Sequence, residues 1–159
     1  MKGSGLYPRV AVDAFGAAVV SQAGGVALVE TVRVAGLNRL LSAALAWWRK
    51  PMAVHDPAKV IIDLAVALAL GGDCLADIAL LRAEPAVFGP VASDPTVSRT
   101  IDTLAADVPR VLAAIEAARA SARARVWRLA GEHAPGHGTN ADRPLIIDDD
   151  ATLVTAHSE

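Results

Sequence analysis

The sequence has one cysteine, few aromatic residues and no long hydrophobic run. A single Cys74 excludes an internal disulfide framework and suits a reducing cytoplasm. Aromatics make up 4% of the 159 residues and hydrophobic residues 53%. Alanine contributes about a fifth of the chain, a mix that favours closely packed helices over a sandwich or barrel. The longest apolar run, residues 60–70, is interrupted by Asp63 and is too short to cross a bilayer. Residues 1–8 lack the apolar core of a secretory signal, so the expectation is a cytoplasmic protein with no membrane partner. Net charge is also small: a formal value of -2 excludes a uniformly basic nucleic-acid binder. The distribution is less even than the sum. All 15 Lys and Arg lie at or before Arg143, whereas Asp148, Asp149, Asp150 and Glu159 follow it.

What is present reads mainly as helix. The length suffices for one domain with a core and a small appendage. Residues 9–22 alternate weakly around Asp13-Ala14-Phe15-Gly16 and predict a β-hairpin. From Val26 the apolar period turns helical, stops at Gly36, and resumes through Leu37, Leu40, Leu41, Leu45 and Trp48. Asp56-Pro57 is a helix start, with Asp as N-cap and Pro in the first turn. The helix it opens, to Gly71-Gly72, is apolar nearly all round and is expected at the centre of the bundle. A further helix is expected over 74–84, stopped by Pro85, and another from Asp94-Pro95 to about Asp107. The last helix is expected from Pro109 to about Gly131, with Val111, Ile115, Ala118, Ala122, Val126 and Leu129 as its buried stripe. Residues 132–143 read as a polar linker.

Several residues invite chemical readings. Helix 74–84, a loop and helix 95–107 suggest a helix-turn-helix-like unit whose second helix presents Thr96, Ser98, Arg99, Thr100 and Thr103. Arg119 and Arg123 flank one side of the stripe on the last helix, and Arg110, Arg125 and Arg128 the other. Such arginines either snorkel along a bundle or contact phosphate. His133 and His137 lie four apart in a Gly/Pro loop without the partners zinc needs. Cys74 near a helix start reads as a small buried thiol rather than a reactive one.

The strongest signal is the apolar run Leu145-Ile146-Ile147 leading into Asp148-Asp149-Asp150. In a strand, alternate side chains share a face, so Asp148 and Asp150 would point together and could share a divalent cation. Locally, Leu145-Ile146-Ile147-Asp148-x-Asp150-x-Thr152-Leu153 fits the first motif of the haloacid-dehalogenase-like phosphatases, but nothing upstream supports that match. A second resemblance covers more of the chain. It rests on Gly71-Gly72-Asp73-Cys74-Leu75-Ala76-Asp77-Ile78, then Leu81-Arg82-Ala83-Glu84-Pro85-Ala86-Val87-Phe88-Gly89, then Ser93-Asp94-Pro95-Thr96-Val97-Ser98-Arg99. To these it adds Val19-Val20-Ser21-Gln22-Ala23-Gly24-Gly25 and Asp148-x-Asp150-Ala151-Thr152-Leu153. In this order, residues 10–159 resemble the N-terminal region of bacterial insertion-sequence transposases of the DDE group 1 class.

The resemblance implies a mainly α protein: a helical bundle with an N-terminal β-hairpin and a C-terminal strand that would begin an RNase H-like α/β domain. The implied organisation is a hairpin segment over 1–22, a helical DNA-binding and dimerisation region over 23–131, a linker over 132–143, and the catalytic domain's first strand over 144–159. The Asp before the Ala-Thr pair, Asp150, matches the first member of the Asp-Asp-Glu triad, with Asp148 as a second metal contact. Mg²⁺ would be the cofactor of the full-length enzyme. DNA at the transposon's terminal inverted repeats would be the partner, contacted through Thr96, Ser98, Arg99, Arg119 and Arg123, with a homodimer also implied. The second Asp and the Glu would lie downstream of Glu159, so the expectation is a truncated transposase, catalytically incomplete alone. The alternative is a non-enzymatic helical interaction module or a small DNA-binding regulator.

Overall fold

Glycine and Asp-Pro pairs set several of the helix ends. In the computed structural model, which describes residues 6–10 and 24–147, helix α1 (Gly24–Ala35) stops at Gly36. Gly36 has φ 73°, a left-handed conformation that a side chain disfavours. Helix α2 (Leu37–Ala44) follows at once and runs into a 3₁₀ turn, Ala46–Trp48. Helix α3 (Pro57–Ala69) opens as its Asp-Pro pair predicts, the Asp56 carboxylate accepting the Ala58 N–H at 2.8 Å. A 3₁₀ turn, Leu75–Asp77, leads into α4 (Ile78–Arg82) and α5 (Pro85–Phe88). Helices α6 (Asp94–Ala105) and α7 (Val108–Ala130) complete the order, followed by a 3₁₀ turn at Gly131–His133.

The contacts divide the chain into two units, 1–126 and 127–159, with the boundary inside α7. The first unit is built around α3, which buries Ala58, Val60, Ile62, Val66 and Ala67. Leu45, Ile78, Leu81, Phe88 and Val97 close on it and are fully buried, joined by Val111 and Ala118 of α7. Gly25 permits the close approach of α1: a Cβ there would sit 2.6 Å from the Phe88 ring. The apolar stripe of α7 is shorter than its sequence suggests, since Val111, Ala118 and Ala122 are buried but Val126 and Leu129 are exposed.

A buried polar cluster lies inside this core. Lys59 and Asp63, one helical turn apart on α3, pair at 2.6 Å, and the Tyr7 hydroxyl donates to Asp63 at 2.7 Å. The Lys59 ammonium also sits 4.2 Å from the centre of the Tyr7 ring. Burial pushes the Asp63 carboxyl up and the Lys59 ammonium down, and it raises the Tyr7 phenol well above its ordinary value. Residues 6–8 are thereby tied to α3, and Pro8 packs beside Gly89.

The second unit holds the end of α7, the turn Gly131–His133, and a tight turn in which the Asn140 side chain accepts the N–H groups of Asp142 and Arg143, each at 2.9 Å. Among the described residues no helix is long and apolar enough to cross a membrane.

Two expectations of β-structure are overturned. Among the described residues there are seven α-helices and no strand, and the one pairing is an isolated bridge between Asn140 and Arg143. Arg9 and Val10 take no regular structure, and the rest of the predicted hairpin, 11–22, lies outside the described residues. At the other end, residues 144–147 form no strand, and Ile146 and Ile147 are 86% and 80% exposed. An apolar, β-branched run favours extension, but a strand also needs a neighbour for its N–H and C=O groups, and among the described residues 144–147 have none. Residues 148–159 lie outside the described residues.

The helix expected over 74–84 is also divided. The Asp77 carboxylate folds back to accept the N–H groups of Asp73 and Cys74, which tightens 75–77 into a 3₁₀ turn. Pro85 begins α5 instead of merely ending a helix. At α6 the cap position falls on Ser93, and Asp94, expected there, sits in the first turn and pairs with Arg82 at 2.6 Å.

Candidate nucleic-acid interface

The segment between the Ala46–Trp48 turn and α3 carries Arg49, Lys50 and His55 in seven residues. Pro51 and Met52 occupy the apex of a β-turn closed by the Ala53 N–H donating to the Lys50 carbonyl at 3.0 Å. Beyond the turn, Asp56 caps α3, accepts from Ser42 Oγ at 2.6 Å and pairs with Arg49 at 3.3 Å. Asp56 is thus fully engaged and turned away from solvent, while Lys50 remains exposed.

This segment faces one side of α6. Trp48, Lys50, Val54 and His55 line one wall of a cleft of about 240 Å³, and Thr96, Arg99, Thr100 and Thr103 line the other. Among the described residues no carboxylate lines it. The α6 wall follows from helical spacing, because positions 96, 99, 100 and 103 recur at intervals of three and four and share a face. Val97 and Leu104 are buried on the adjoining side of the helix, and Leu104 also lines the cleft. The hydroxyls are locally oriented: Thr100 and Thr103 donate to the carbonyls of Thr96 and Arg99 at 2.8 and 2.7 Å. Arg99 donates to Thr96 Oγ1 at 3.2 Å, which keeps its guanidinium against the hydroxyl row. Lys50 and Arg99 offer cationic N–H donors at close spacing, the groups that phosphate oxygens accept from, while the Thr100 and Thr103 protons are already given to backbone carbonyls.

Of the residues singled out in the sequence, Thr96 and Arg99 meet in this cleft, and Ser98 is exposed on α6 outside it. Arg119 and Arg123 are exposed on α7 and do not line it; they lie about 14 and 20 Å along the helix from Arg110. Arg125 is a packing residue, its Nε donating to the Val34 carbonyl at the end of α1 at 2.9 Å. Arg110 pairs with Asp107 at 3.2 Å and stands 5.8 Å from the ring centres of both Trp47 and Trp48. The contribution of Lys50 and His55 was not singled out from the sequence, since their helical partner lies some forty residues further on; the run Arg49-Lys50 was the available signal.

Asp148 and Asp150 lie outside the described residues. Among the described residues the one close grouping of metal-ligand types is Asp73, Cys74 and Asp77. It does not fit a carboxylate metal centre, because one Asp77 oxygen already accepts two backbone N–H groups and the cluster is on the surface. Those bonds, to Cys74 and Asp73, hold the Asp77 carboxyl below the usual carboxylate range. The Tyr7, Lys59 and Asp63 cluster is no better placed for chemistry: its members satisfy one another in the core, and none lines a described cavity.

No curated protein and no solved structure matches the chain. A family model described as Transposase DDE domain group 1 matches residues 2–159.

Proposed function

The chain belongs to the transposase DDE domain group 1 family, and from that premise we propose that its helical unit binds DNA for insertion-sequence transposition, with the cleft beside α6 as the phosphate-contacting site. The observation that carries this reading is the composition of the cleft: Lys50, His55 and Arg99 beside the threonine row of α6, with no acid among the described lining residues. Terminal inverted repeats are the proposed DNA, and α6 the element nearest the groove, with Arg99 as its leading contact and Ser98 and Thr96 beside it. Arg119 and Arg123, exposed on α7, extend the contact along the backbone.

The family's reaction is DNA strand cleavage and transfer, which relies on divalent metal ions. The proposed ligands in this chain are Asp150, matching the first triad carboxylate, and Asp148, with Mg²⁺ as the ion. No described residues form a competing carboxylate centre, and the helical unit's own part is to hold the DNA.

Binding to a labelled inverted-repeat duplex across a salt series tests the reading. Each phosphate contact contributes a slope near −0.9 in log affinity against log salt. Arg99→Ala and Lys50→Ala are each expected to weaken binding and flatten the slope by about one unit. Unchanged binding in both variants would place the interface elsewhere. Failure of the wild-type chain to bind any duplex would favour a helical interaction module.

A further inference from the structure

The turn beside the cleft ends in an apolar tip that nothing in the DNA contacts described above uses. Met52 is 92% exposed at the turn's apex, and Val54, two residues on, is 87% exposed. The tip is stiffened from both ends. Pro51 fixes its own φ at the second turn position, the Ala53 N–H closes the turn on Lys50, and Asp56 anchors the following residues to α3 through Ala58 and to α2 through Ser42. Isolated apolar residues on a surface are ordinary. Here the tip stands between basic side chains: Lys50 precedes it, and His55 and Arg99 share the adjoining cleft with Val54.

Resting on the DNA-binding reading, we propose that the 50–54 turn is a wedge, Met52 entering a base step of duplex DNA and bending it while the cleft holds the flanking phosphates. The charge pattern selects the partner. A rim of Lys50, His55 and Arg99 with no acid among the described lining residues suits a polyanion around the tip, and burial of an unbranched thioether between bases removes apolar surface from water while its flexible chain adapts to the step. Apolar side chains inserted this way partly unstack a base step, and kinks follow most readily at flexible pyrimidine–purine steps.

The test uses the full chain and two duplexes of about 30 bp with a donor and an acceptor dye at their ends, one with a central TA step and one with a stiff A-tract there. Wild-type protein is expected to shorten the end-to-end distance of the TA duplex and to bind it on the order of tenfold more tightly than the A-tract duplex. Met52→Ser, a change at a fully solvated position, is expected to abolish the shortening and most of the preference, while Met52→Leu restores both. Binding of both duplexes without bending, or bending that survives Met52→Ser, overturns the wedge and leaves the DNA-binding reading intact. Failure of wild type to bind either duplex overturns both. A loss of self-association in Met52→Ser, seen by sedimentation without DNA, with bending retained, would make the tip a contact between copies and also overturn the wedge.

Discussion

At the scale of single residues, the buried cluster of Tyr7, Lys59 and Asp63 is the point of greatest sensitivity. Asp63 has no solvent exposure and draws on two side-chain donors, so its desolvation is offset only while both remain. Lys59→Met would strand the carboxylate in an apolar core, and a broken buried pair costs about 3–5 kcal/mol. Tyr7→Phe removes one donor and should cost about 1–3 kcal/mol. The triple replacement Tyr7→Phe, Lys59→Met and Asp63→Leu leaves no unsatisfied group and should recover most of the loss. Urea unfolding of the four proteins measures this; a triple variant less stable than Lys59→Met alone would show that the cluster adds net stability. In the sequence Asp63 stood out only as a break in an apolar run. Its partner Tyr7 lies 56 residues away, beyond any local pattern.

At the scale of elements, local chemistry was legible and its competition with tertiary structure was not. Asp56-Pro57 marked the start of α3 because capping and a fixed φ act within four residues. The expected helix over 74–84 failed because Asp77 spends its carboxylate on the N–H groups of Cys74 and Asp73. That turn should respond to acid. Its carboxyl titrates lower in the folded chain than in the unfolded one, so the stabilisation is present above the unfolded value and is lost as pH falls through the folded value. In an NMR titration the Asp73 and Cys74 amide signals should move with a midpoint below the ordinary Asp range, and Asp77→Asn should remove that transition. A midpoint at or above the ordinary Asp value would contradict the assigned bonds. The predicted C-terminal strand failed for a different reason: Leu145, Ile146 and Ile147 have strand-forming side chains but, among the described residues, no ladder to join.

At the scale of the whole molecule, the family was legible because its motifs recur in order along nearly the entire chain. The cleft was only half legible: the α6 wall follows a helical period, but the opposing wall comes from residues 48–55 and meets it through tertiary packing around α3. Asp148 and Asp150 were legible as an acidic pair, and they lie outside the described residues. In-line displacement at phosphate in two-metal sites depends on several carboxylates to fix the ions, and the resemblance places a single triad position, Asp150, among these 159 residues. The purified chain is therefore expected to bind DNA without nicking or joining it in Mg²⁺ or Mn²⁺. Nicking that survives stringent purification and vanishes in Asp150→Ala would overturn that expectation.

The bond from Arg125 to the Val34 carbonyl spans 91 residues, and so it orders events on the ribosome. At about 5–20 residues per second, α1 emerges roughly 5–18 s before the arginine that completes its end has been made. Throughout that interval the corner at Gly36 lacks its final partner, and the apolar side of α1 awaits Phe88 as well. Until then α1 and α2 have each other and α3 to pack against, and the interval leaves the apolar side of α1 open to whatever binds exposed hydrophobic surface on a growing chain.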